Sequence, residues 1–127
     1  MTYPYRQAYT FNTRTGAVIA DNTDIYNLVI PAGKEIEIHD VKAMVRAISG
    51  ASSFFEICKD DNTVLCKVVT SSTGVKSAVN NDGVTATTFP IRVAPQSTTA
   101  STTVKVRTDV ATTTSTDVSV QIIVGGL

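Results

Sequence analysis

The sequence predicts an all-β protein, an antiparallel β-sandwich of eight or nine strands, on two observations. The first is composition: the 127 residues include 20 Thr, 17 Val and 10 Ile but only three Leu. β-Branched side chains pack well on a pleated surface, whereas Leu is among the better helix formers. The second is spacing, because short alternating segments bounded by turn residues recur about every dozen residues. The length suits a single domain.

Residues 1–15 predict either an extended N-terminal arm or the first edge strand. Tyr3, Tyr5, Tyr9 and Phe11 all occupy odd positions, so an extended chain would place the four rings on one side. One interpretation is a strand whose rings cover the edge of the core. The other is an arm that binds a partner through these rings, because aromatic residues favour interfaces.

Residues 16–127 are predicted to form one sandwich domain. Its first elements are a short strand over residues 17–20 and a longer one over residues 25–30. The Pro-Ala-Gly sequence at residues 31–33 then predicts a turn, because Pro fixes φ and Gly accepts a positive φ.

The longest strand signal covers residues 34–48 and contains a change of phase. The apolar residues lie at even positions up to Ile38 and at odd positions from Val41 onward. A phase shift of one residue within a strand is the mark of a β-bulge. We therefore expect a bulge near His39 and Asp40.

A hairpin is predicted where residues 54–59 and 64–69 flank a polar turn. A two-residue loop at positions 61 and 62 would set Glu56 opposite Lys67, which is a favourable cross-strand pair.

The same hairpin decides how the two cysteines are placed. A two-residue loop would set Cys66 opposite Ile57 and Cys58 opposite Leu65, with the thiols on opposite faces. A three-residue loop would pair the thiols directly. Because the sequence opens without an apolar secretory region, we expect free, buried thiols.

The remaining strands follow from the same alternation. Asn80-Asn81-Asp82-Gly83 predicts a turn among them, and threonine is expected mainly on solvent-facing strand positions, where it stays wettable. The predicted strands cover residues 75–79, 84–89, 91–94, 102–109 and 118–124, with a Thr-rich loop over 111–116. This series of short strands suggests a jelly-roll-like sandwich.

No residue pattern indicates catalysis, a metal or a cofactor. The one histidine, His39, has no nucleophile motif around it and is expected to face solvent. The Asp pairs at positions 21/24 and 60/61, and Asp82, are ordinary turn residues and do not have calcium-loop spacing. We therefore expect a protein that is not an enzyme and that holds neither metal nor cofactor.

Charge and hydropathy argue against a nucleic-acid-binding protein and against a membrane-spanning protein. The formal net charge is zero, whereas proteins that hold nucleic acid need a basic excess or stripe. The sequence has no apolar run long enough to span a bilayer. Neither nucleic acid nor a membrane is an expected partner.

One segment carries a family resemblance. YNLVIPAGKEIEIHDV, residues 26–41, resembles a segment of small virion proteins of tailed bacteriophages, and residues 102–124 are similar to their Thr/Val-rich tail and last strand. The resemblance implies a jelly-roll capsid cement or decoration protein on the outer surface of the shell, made in the host cytoplasm. It implies two partners, the major capsid protein and further copies of the chain in a homotrimer, and it carries over no catalytic residue.

The sequence therefore predicts two alternative functions. The first is shell decoration, in which an arm over residues 1–11 adds to the sheet edge of a partner. The alternative is a receptor- or glycan-binding module of a head fibre, tail fibre or spike. Aromatic rings exposed in a polar cleft would favour this alternative.

Overall fold

The computed structural model describes residues 6–127 and confirms the all-β sandwich. Within that range the chain forms nine strands and no helix, so no helix there could cross a membrane. The strands are β1 Arg6–Arg14, β2 Asp24–Ile30, β3 Ile36–Ala47, β4 Phe54–Lys59, β5 Val64–Val69, β6 Gly74–Ser77, β7 Ile91–Val93, β8 Thr102–Thr108 and β9 Asp117–Gly125.

The strands form two antiparallel sheets. The first sheet has the order β1-β9-β3-β6, with β7 also pairing with β3, and the second has the order β2-β8-β4-β5. The first four strands alternate between the sheets, so most sheet neighbours are distant in sequence. β1 is consequently an edge strand of the first sheet, although it is the first strand of the chain.

The core lies between the inner faces of the two sheets and is mainly aliphatic. Phe55, Ile57, Ile36, Ile38 and Ile122 are among its fully buried side chains. The strict alternation along β8, in which every second residue is buried, shows how β-branched residues fill one face while the other meets solvent.

The predicted bulge in β3 is confirmed. The register between β3 and β9 shifts between Ile38 and Asp40, so that His39 is the extra residue. Ile36 and Ile38 are buried before the bulge, and the odd-numbered Val41, Ala43 and Val45 are buried after it.

The β4–β5 hairpin confirms both strands and corrects the turn. Glu56 lies opposite Lys67 and Ile57 opposite Cys66, as predicted. The loop has four residues rather than two, because Asn62 adopts a left-handed φ of 67° and the Lys59 N–H donates to the Thr63 carbonyl at 3.0 Å.

The longer loop shifts the register beside it. Cys58 therefore lies opposite Val64, and the predicted pairing of Cys58 with Leu65 is wrong.

Two predicted strands are absent for identifiable reasons. Residues 17–20 run past the end of the sandwich, where the Ile19 N–H donates to the Thr112 hydroxyl instead of a neighbouring strand. In the 84–89 segment only Ala86 makes a bridge, to Val79. The segment begins with a turn instead, because the N–H groups of Val84 and Thr85 both donate to Asp82 Oδ1 at 2.9 Å.

The strand ends converge on two groups of loops. Residues 15–23, 48–53, 70–73 and 109–116 form one group, which we call the threonine end. Residues 31–35, 60–63 and 94–101 form the other group, the opposite end.

Candidate functional site

The aromatic residues singled out from the sequence are divided by the structure. Tyr3 and Tyr5 lie outside the described residues, so their partner-binding role stays a prediction. Tyr9 and Phe11 lie in β1, which pairs with β9 without a register shift from Arg6 to Arg14.

Phe11 is a core residue of its own chain. Its side chain is buried, and its ring stacks on Tyr26 of β2 with 4.6 Å between the ring centroids and an interplanar angle of 4°. Tyr9 is half-buried against the same core, and its hydroxyl donates to the Gln7 side chain. Because these rings fasten β1 to the sandwich, they favour the interpretation of a first strand over that of a free arm.

The feature of β1 that remains open is its backbone edge. Only one side of the strand pairs, with β9, and no strand among residues 6–127 pairs with the other side. Natural edge strands are usually protected by short length, internal charges, proline, a bulge or a covering segment. β1 has nine residues, a regular register, and neither charge nor proline between Arg6 and Arg14.

The other described edges each show one of these protections. β2 carries a register irregularity between Asp24 and Tyr26. β5 is covered in part by Val79, which bridges to Lys67, and β6 has only four residues. The edge of β1 is therefore the best template for strand addition within the described part of the chain.

An ion cluster fixes the end of β1 on its sheet. Arg46 of β3 donates to one Asp117 oxygen through Nε at 3.1 Å and Nη2 at 2.9 Å, and Arg14 of β1 contacts the other oxygen at 3.2 Å. The hydrogen bond from Arg46, with a smaller contribution from Arg14, holds the pKa of Asp117 below its ordinary value. This carboxylate is occupied in joining three strands and is not available as a base.

The cysteines are free, buried and unreactive. Burial raises the pKa of Cys58 to about 11 and that of Cys66 to about 12. Because the thiolate is the nucleophilic form, neither side chain is an activated nucleophile at neutral pH.

His39 occupies the bulge and departs from the expected position. It is half-buried rather than solvent-facing, because the extra residue interrupts the alternation of the strand, and its Nε2 is enclosed without a hydrogen-bond partner. Within residues 6–127 no group of three or more His, Cys, Asp or Glu side chains could hold a metal ion.

The threonine end is a surface that the sequence did not predict. Buried hydroxyls there join loops from both sheets: Thr112 accepts from the Ile19 N–H at 2.8 Å, and Thr108 donates to the Ala20 carbonyl at 2.8 Å. Six of the 19 threonines in residues 6–127 are buried, so the expectation of solvent-facing positions did not hold for these six. They are Thr13, Thr70, Thr102, Thr108, Thr112 and Thr116.

A sequence signal for this surface did exist. The four loops of the threonine end hold 27 residues, of which only Asp21 and Asp109 are charged. Their low content of charged residues distinguishes the threonine end from the other loops. It could be recognised only once the topology had shown which loops meet.

Comparison with protein-family models, with curated proteins and with solved structures found no match to this chain. The class of protein therefore rests on the fold and on the surfaces described above. Within residues 6–127 they define a β-sandwich with one long unprotected sheet edge and a hydrogen-bonded loop surface that has few charges.

Proposed function

We propose that this protein is a structural protein of a bacteriophage virion, a capsid cement or decoration protein that binds the outer surface of the shell and stabilises it. The observation that carries the proposal is the open edge of β1. A nine-residue edge without protection is suited to pairing with another chain, which would satisfy its unpaired backbone groups.

The proposed assembly is a homotrimer that binds the major capsid protein. A protein that binds only assembled shells stabilises them, because binding shifts the equilibrium towards the bound form. The resemblance of residues 26–41 to virion proteins supports this assignment and the proposed location on the capsid surface.

We also propose that the sandwich is a jelly roll. The support is its strand order, in which β1-β9-β3-β6 lies in one sheet and β2-β8-β4-β5 in the other. Jelly rolls consist of eight strands in two such sheets, joined as two Greek keys. The short β7 would then be an addition to the common set.

The alternative, a glycan-binding module of a fibre or spike, has less support. Sugar-binding sites commonly use an exposed aromatic ring. In the described chain the ring of Phe11 is stacked on Tyr26, and that of Phe54 lies beneath Lys67 Nζ at 5.1 Å and against Gly83.

The proposal is tested by mixing the protein with empty shells assembled from the major capsid protein of the same virus. We expect co-sedimentation and ordered occupancy of the shell by electron microscopy. Light scattering of the free protein should give three times the 13.5 kDa chain mass. Absence of shell binding overturns the decoration role, and a strict monomer at high micromolar concentration overturns the trimer.

A double variant, Thr10→Lys with Asn12→Lys, tests the edge of β1. Both residues are exposed, and charges on an edge strand oppose pairing. The variant should be monomeric. Its matched control is Asn27→Lys with Val29→Lys on β2, the edge strand of the second sheet, which should remain trimeric. A trimeric β1 variant would show that another surface joins the copies.

A further inference from the structure

We propose that the threonine end is the surface that contacts the shell, and that its partner is a protein surface without charged side chains. This inference rests on the proposed function and specifies which part of the molecule binds. Three observations carry it: exposed apolar side chains, a low number of charged residues, and hydrogen bonds between the loops.

The apolar side chains come from three separate loops. Val18 is 57% exposed, Val110 41% and Ile48 38%, and each belongs to a different loop of the threonine end. The loops that carry them are joined directly, because the Thr112 N–H donates to the Ile19 carbonyl and the Thr113 N–H donates to the Ser49 carbonyl. These are three of the seven large apolar side chains exposed in the described chain, and they are the ones that lie on loops bonded to one another, as at protein-binding surfaces.

The missing charge specifies the chemistry of the partner. Of the two carboxylates at this end, Asp109 is already engaged, because its Oδ1 accepts from the amides of Phe54 at 2.9 Å and Val110 at 2.7 Å. Interface centres are depleted in charged residues. The charged groups beside these loops, Asp117 and the two arginines of the ion cluster, are paired with one another. A charged side chain of the partner would therefore gain little counter-charge for the hydration it loses, so the complementary surface is uncharged.

Hydrogen bonds between the loops make the surface rigid before it binds. The Thr116 hydroxyl donates to the Ile48 carbonyl at 3.3 Å, and the Ser49 N–H donates to the Thr70 carbonyl at 2.9 Å. Bonds of this kind hold four loops in one arrangement. A surface that is already ordered loses less conformational entropy on binding.

The geometry of the proposed trimer agrees with this placement. In the proposed trimer, a three-fold axis that runs along the strands would bring three threonine ends to one face. Three equal contacts on one face bind a lattice more tightly than one. Arg6, the first described residue, pairs with Gly125 at the opposite end.

The test compares variants matched for exposure and, in the first pair, also for residue type. Val18→Lys and Val18→Asp place either charge on the threonine end, and Val29→Lys and Val29→Asp place the same charges on β2, where Val29 is 60% exposed. A second pair compares Val110→Lys with Met44→Lys on the outer face of β3, where Met44 is 42% exposed. Binding to the empty shells is measured, with circular dichroism to establish that each variant is folded.

We expect both charges at Val18, and the lysine at Val110, to weaken shell binding by at least about tenfold. The variants at Val29 and Met44 should bind like the unmodified protein. Binding should also change little between low and high salt, because no ion pairs cross a neutral interface.

Each other outcome has a defined meaning. If the unmodified protein does not bind shells, the proposed function itself fails. If it binds and the Val18 and Val110 variants bind equally well, the threonine end is not the contact. If only one sign of charge weakens binding, the partner is charged. If Val18→Lys instead splits an end-to-end pair of trimers and leaves shell binding unchanged, the threonine end joins copies of this chain.

Discussion

The two ends of the sandwich hold their loops in different ways. At the threonine end the bonds join residues far apart in the chain, such as Thr23 with Thr108 and Thr15 with Thr116. At the opposite end most bonds are local turn contacts, such as Thr63 with Asp61 and Ala100 with Ser97. The first arrangement joins all four loops, whereas at the opposite end the bond from the Gly33 N–H to the Ser97 carbonyl joins two of the three loops.

The ends differ in charge as well. The three loops of the opposite end have 17 residues, four of them charged, against two charged residues among 27 at the threonine end. Charged turn residues keep a loop in water. The difference agrees with the proposal that the threonine end is the surface that leaves water on binding.

The largest effect is expected from removing a buried hydroxyl at the threonine end. Thr108→Val leaves the Ala20 carbonyl without its donor and the Thr23 N–H without its acceptor. We expect the free energy of unfolding to fall by about 2 to 3 kcal/mol, measured by urea denaturation. The control is Thr98→Val in an exposed position of the opposite end, which should change stability by less than about 0.5 kcal/mol. Equal effects would refute the contrast between the ends.

A smaller effect is expected from alanine at a turn glycine of the opposite end. Gly33 has a φ of 74°, a conformation that costs a residue with a Cβ about 1 kcal/mol. Gly50 at the threonine end does not have a positive φ, and an added Cβ would meet Ser53 at an ordinary 3.6 Å. Gly33→Ala should lower the thermal midpoint, and Gly50→Ala should leave it nearly unchanged. The reverse order would contradict the turn assignment.

The opposite end should also respond to acid. A side-chain hydrogen bond from Thr63, with the Thr63 backbone N–H next, holds the pKa of Asp61 below its ordinary value of 3.8. A lowered pKa stabilises the fold above that value, and this contribution disappears as the pH falls through the folded pKa. NMR titration of Asp61 should show a low pKa that moves upward in Thr63→Val. An unchanged titration in that variant would exclude the Thr63 hydroxyl as the cause.

The smallest difference concerns local opening. The amides of Thr112 and Thr113 donate to other loops of the threonine end, whereas the Thr99 amide donates only to the nearby Ser97 hydroxyl. Hydrogen exchange should therefore be slower at Thr112 and Thr113 than at Thr99. Similar rates at the three amides would show that the threonine end is not rigid.

The strands were predictable because alternation is a local property. The phase change at His39 located the bulge, and the polar residues between Lys59 and Val64 located the hairpin. The turn length in that hairpin was not predictable from composition alone, because it depended on the left-handed conformation of Asn62. The prediction of a strand over residues 17–20 was wrong, because alternation does not show whether a segment has a neighbouring strand to pair with.

The candidate surfaces were less predictable for the same reason. Tyr9 and Phe11 were identified as neighbours on one side of a strand, but the partner of Phe11 is Tyr26 in the other sheet. That β1 is an edge strand follows from the strand order, which short-range patterns do not specify. The hydroxyl of Thr108 finds its partners 85 and 88 residues away.

The position of β9 has a consequence for how the chain reaches its native state. The last strand of the sequence lies between β1 and β3, in the interior of its sheet. During synthesis on the ribosome, β1 therefore cannot pair with β9 until residues 117–125 have been made. Such distant pairings give a high contact order, which is associated with folding in milliseconds to seconds rather than microseconds. During that interval the nascent β1 and β3 have no β9 to pair with, and unpaired strand edges of this kind are prone to aggregation.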